Sequence, residues 1–146
     1  MGKTPLFLAL TFLISLNSLE LGRADIPEEL EASIGGMLGF YSVHLKGKTV
    51  VYEYFKRSEP THTITFTPTQ KDWKKFNSLF KAADVWNWET AYGDDQGLVD
   101  GIQWRLYIKQ GGREKKTEGS NRYPPPEKFK KYLEAIQLLI GNNHFQ

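Results

Sequence analysis

The sequence predicts an α+β fold in which an antiparallel sheet of about five strands carries two amphipathic helices on one face, a two-layer sandwich. Three observations support this. Four segments alternate apolar and polar residues with a period of two, a charged fifth returns from the last of them through a Gly-Gly turn, and two others repeat apolar residues at helical spacing. Their order, β-β-β-α-β-β-α, lacks the strand–helix alternation that a parallel sheet requires.

The chain has 146 residues. Residues 1–24 read as a signal peptide: Lys3 supplies a positive charge, Pro5 to Leu16 is apolar, and Gly22-Arg23-Ala24 places small residues where a signal peptidase cuts. Only 16 uncharged residues separate Lys3 from Glu20, short of the roughly 20 apolar residues that a membrane-spanning helix needs. The expectation is cleavage, a single α+β domain over 25–146 starting at Asp25, a secreted or periplasmic location, and no stable membrane span afterwards.

Within that domain, Asp25 to Met37 reads as a polar lead, a short helix or arm, because Glu28-Glu29-Leu30-Glu31 is rich in helix formers and Gly35-Gly36 breaks it. Gly39 to Leu45 and Thr49 to Phe55 alternate around Lys46-Gly47-Lys48 and form a hairpin. Thr61 to Phe66 is a third strand. Thr67-Pro68-Thr69-Gln70 then predicts a helix start with Thr67 as cap. Trp73, Phe76, Leu79, Phe80 and Ala83 recur on one side of that helix, with lysines on the other. Gly101 to Lys109 alternates most clearly, and Glu114 to Glu118 returns as a charged edge strand. After Pro124-Pro125-Pro126, a second amphipathic helix carries Phe129, Tyr132, Leu133, Ile136 and Leu139, with Gly141 as its left-handed cap.

Composition excludes several functions. Nineteen Lys+Arg against 17 Asp+Glu give a net charge of +2, too small to imply nucleic acid as a partner. With no cysteine, the chain has no thiol nucleophile, no Cys-based zinc site and no disulfide, so its core alone must hold it. No Gly-x-Ser-x-Gly motif occurs in residues 25–146, and His44, His62 and His144 lack metal-ligand spacing.

Tyr92, the strand opening Asp100-Gly101-x-x-Trp104, and Gly119-Ser120-Asn121-x-Tyr123-Pro124 before a helix with Phe129 and Leu133 resemble a class of small, mostly exported bacterial proteins of unknown function. The resemblance covers roughly residues 36–141 in plan and is most specific over 100–124. It implies the fold and export, and no activity.

The reading is therefore an exported, non-catalytic domain that binds a protein or small ligand, with no catalytic residues, metal or cofactor. Its contact surface is expected where irregular segments bring Trp86, Trp88, Tyr92, Asn121 and Tyr123 to one end of the sheet, because aromatic anchors within a polar rim make interface hot spots. The same aromatics could instead plug the sandwich, and their exposure decides between the two. The alternative is a hydrolase-like enzyme joining His44 or His62 to a carboxylate of the 94–100 loop, which holds Asp94, Asp95 and Asp100. That loop also has the composition of a calcium site without the EF-hand spacing.

Overall fold

The computed structural model describes residues 25–93 and 101–146. It corrects the expected five-stranded antiparallel sheet to seven strands in a mixed sheet. The strands are β1 (Glu29–Gly36), β2 (Gly39–Lys46), β3 (Thr49–Lys56), β4 (His62–Phe66), β5 (Ala91–Tyr92), β6 (Gln103–Gln110) and β7 (Arg113–Ser120). Their order is β4-β3-β2-β1-β6-β7-β5. Every pairing is antiparallel except β5 with β7, which is parallel.

The two additional strands are β1 and β5. The segment read as a helix or arm is the middle strand of the sheet, paired with β2 on one side and β6 on the other. Leu30, Ala32 and Ile34 alternate with Glu29, Glu31 and Ser33, and the first three are buried. Burial of that period-two face outweighs the helix preference of Glu, Leu and Ala. Strand β5 has two residues, too few to show any period. Together with the irregular residues Glu89 and Thr90 just before it, this segment covers part of β7, which is therefore not a bare edge: Glu118 N–H donates to Thr90 O at 3.1 Å and Thr117 Oγ1 to Glu89 O at 2.7 Å.

Two helices, α1 (Gln70–Ala82) and α2 (Pro126–Leu139), pack against each other and bury Trp73, Phe76, Phe80, Phe129, Tyr132 and Ile136 in one core with the strand residues Val43, Val50, Tyr52, Trp104, Leu106 and Ile108. Leu133, expected in the core, is only partly buried. Helix α1 starts two residues later than the sequence suggests. Thr69 is the cap: its Oγ1 accepts from Asp72 N–H at 3.2 Å, and Asp72 Oδ2 accepts from Thr69 N–H at 2.7 Å. Helix α2 ends in a Schellman turn, with Gly141 at φ +61° and Asn142 N–H donating to Gln137 O at 2.8 Å. Among the described residues no helix is long and apolar enough to cross a membrane.

Candidate functional site

The motif that carries the resemblance closes one end of the sheet. Trp104 is buried, and its indole N–H donates to Arg122 O at 2.9 Å. Asn121 adopts a left-handed conformation at φ 52°, which Asn tolerates, and its Oδ1 accepts from Ile102 N–H at 2.9 Å. The indole lies directly over Gly119, and the Asn121 amide over Gly101, where a Cβ would clash in each case. Tyr92 and Tyr123 pack on Trp104 at ring-centroid distances of 5.8 and 6.5 Å.

The five residues of the expected contact surface therefore separate. Trp88 is 5% exposed, wedged against Trp104, Phe129 and Tyr132, with its N–H on Ala83 O at 2.8 Å. It offers no surface. Trp86 is half-buried beneath the Arg113 guanidinium, 4.1 Å from the ring centroid. Tyr92 is half-buried, and its hydroxyl oxygen accepts from Glu89 N–H at 3.0 Å. Asn121 and Tyr123 meet Tyr92 at the same end of the sheet, and both are exposed. Lys115 of β7 turns inward to the carbonyls of Trp86 and Trp88.

A different site lies on the sheet face opposite the helices, and only the strand register discloses it. One row across β2, β1, β6 and β7 reads His44, Glu31, Tyr107, Lys116, and the next reads Ser42, Ser33, Arg105, Glu118. These eight side chains, with Thr90 and Ala91 at one end, line an open trough of about 730 Å³. Side chains opposed across antiparallel strands stand about 5 Å apart, so donors and acceptors alternate along its floor. Two carboxylates, Glu31 and Glu118, face two cations, Arg105 and Lys116, and Arg105 Nε lies 3.3 Å from Glu118 Oε2. The Tyr107 hydroxyl is held above its ordinary pKa by partial desolvation and then by the Glu114 and Glu29 carboxylates. The Lys116 ammonium stands 5.7 Å from the Tyr107 ring centroid.

The histidines are dispersed. His44 is in the trough opposite Glu31. His62 stacks on Tyr54 at 4.8 Å, 4.0 Å from Glu59, and His144 meets the Tyr41 ring edge-on at 4.9 Å. The carboxylates of residues 94–100, including the proposed hydrolase partner and the calcium-like loop, lie outside the described residues. Among the described residues no cluster of three His, Asp or Glu could hold a metal. Nothing in sequence hydropathy marks the trough, because Ser33, Ser42 and Arg105 read only as the wet side of strands.

No protein-family model matches the chain, and no curated protein matches it in sequence.

Proposed function

We propose that the protein is an exported, non-catalytic binding module whose uncovered sheet face holds a small, overall neutral, hydroxyl-rich ligand of the oligosaccharide kind. The observation that carries this reading is the trough itself: a concavity of about 730 Å³, within the range of ligand sites, lined by balanced charges and hydroxyls from four adjacent strands. Balanced charge disfavours a strongly ionic ligand. Neighbouring donors and acceptors suit the vicinal hydroxyls of a sugar, and the Tyr107 ring can lie against a sugar face. Export is supported by the tripartite pattern of residues 1–24.

The test is titration of the ¹⁵N-labelled protein with cellohexaose and chitohexaose. Shifts confined to the trough residues, and lost in Arg105→Ala with an unchanged melting temperature, are expected. Shifts elsewhere, none with either probe, or cleavage of the probe would overturn the reading. Mass spectrometry of the protein recovered after export should find Asp25 or a neighbour as its first residue, and retained Met1 would refute processing.

A further inference from the structure

The turn joining β1 to β2 breaks the composition rule for hairpins. Two-residue turns favour Asn, Asp and Gly, yet this one presents Met37 and Leu38 between Gly36 and Gly39. They are the most solvent-exposed large apolar side chains described, at 64% and 71%. Behind them stands Ile102, 41% exposed beside Gly36. Leaving such side chains in water at a projecting tip has a free-energy cost, and contiguous exposed apolar residues mark interaction surfaces.

Cations are built into the same corner. Lys56 pairs with Gly39 in the β2–β3 register, and Arg57 N–H donates to Leu38 O at 3.1 Å. Both basic residues line the shallow groove that includes Met37, Leu38 and Ile102. The nearby carboxylates of the described residues are engaged elsewhere: Glu59 lies 4.0 Å from His62, and Glu53 accepts from Thr63 Oγ1 at 3.5 Å. An apolar tip with basic residues one layer behind it matches the polarity profile of a lipid interface, where apolar groups enter the acyl boundary and Lys and Arg remain at the anionic headgroups.

We propose that the Met37–Leu38 tip, with Lys56 and Arg57 behind it, docks on an anionic phospholipid surface and holds the domain there peripherally. The tip and the trough are distinct surfaces, so this inference stands apart from the ligand reading.

Sucrose-loaded vesicles of phosphatidylcholine, with and without phosphatidylglycerol, test it by sedimentation. The protein is used as recovered after export, and any retained leader is common to all variants. Binding should require phosphatidylglycerol and fall as salt is raised. Met37→Ser with Leu38→Ser should weaken it more than about tenfold, and each of Lys56→Gln and Arg57→Gln about fivefold. All four changes should leave the melting temperature in place, and Arg105→Ala should bind vesicles as the parent does. Equal binding to both vesicle types, parent-like binding by the tip variants, or no vesicle binding while an acidic apolar peptide is captured at the tip would overturn the proposal.

Discussion

Gly119 sits under the Trp104 indole and against the Arg122 carbonyl, so an added methyl would have to displace a buried ring and backbone together. Gly101 is crowded by a side-chain amide instead, and that amide can swing away if it gives up its bond to Ile102 N–H. The two glycines should therefore respond differently. Gly119→Ala is expected to destabilise by about 1–3 kcal/mol through overpacking, and Gly101→Ala by about 1 kcal/mol, the worth of one hydrogen bond. Urea denaturation measures both, and an equal or reversed order would refute the interlock. The spacing Asp-Gly-x-x-Trp followed by Gly-Ser-Asn-x-Tyr-Pro was legible as a pattern, whereas its role was not, because the contacts join residues some twenty positions apart. Trp88 illustrates the same limit. Its neighbours in sequence are polar and irregular, and only the path of the segment beside β7 turns it into the core.

The cap of α1 gives a pH-dependent contribution whose sign is fixed. Asp72 has its pKa lowered, first by the Thr69 backbone N–H, then by the Thr69 hydroxyl. A carboxylate with a lowered folded pKa contributes stability above its unfolded value of about 3.9 and loses it as pH falls through the folded value. Melting temperatures at pH 7 and pH 3 should therefore differ less in Asp72→Asn than in the parent, with a loss at neutral pH of roughly 0.5–1 kcal/mol. An unchanged acid limb would remove the box from the account. Four of the seven strands and both helices were legible from period alone, and β7 from the Gly111-Gly112 turn before it and its charge. Strand β1 was obscured because Glu28-Glu29-Leu30-Glu31 satisfies helix propensity while Leu30, Ala32 and Ile34 satisfy a strand face, and only pairing on both sides resolves that conflict. The cap moved from Thr67 to Thr69 because the reciprocal box closes between Thr69 and Asp72, whose carboxylate accepts from the Thr69 N–H while the Thr69 hydroxyl accepts from the Asp72 N–H.

The sheet separates the two faces of the domain, and its trough could not be read along the chain, since it gathers residues from four strands whose order only the register supplies. The face toward the helices holds two buried tyrosines with opposite hydrogen-bond status. Tyr52 donates to His144 O at 2.6 Å, tying the C-terminal segment to β3. Its pKa is pushed up to about 12, by burial first and then by Tyr41 and Tyr54. Tyr132 is fully buried between the sheet and α1, and its hydroxyl alone among the buried side-chain polar atoms described has no hydrogen-bond partner. Burial raises its pKa further still. Removing these hydroxyls should shift stability in opposite directions. Tyr52→Phe deletes a made bond and leaves the His144 carbonyl without its donor, a loss of about 1–2 kcal/mol, whereas Tyr132→Phe removes an unsatisfied group and should gain about 1 kcal/mol. Alkali adds a second discriminator. Both phenols have folded pKa values above the unfolded value of about 10, so unfolding releases a proton from each above pH 10 and stability falls as pH rises past it. The parent should lose stability steeply over that interval, and the Tyr52→Phe variant, having one fewer proton to release on unfolding, should lose it less steeply. Urea midpoints at pH 8, 10 and 11 measure both effects. A loss of stability in Tyr132→Phe would mean that its hydroxyl has a partner and would refute this division of roles.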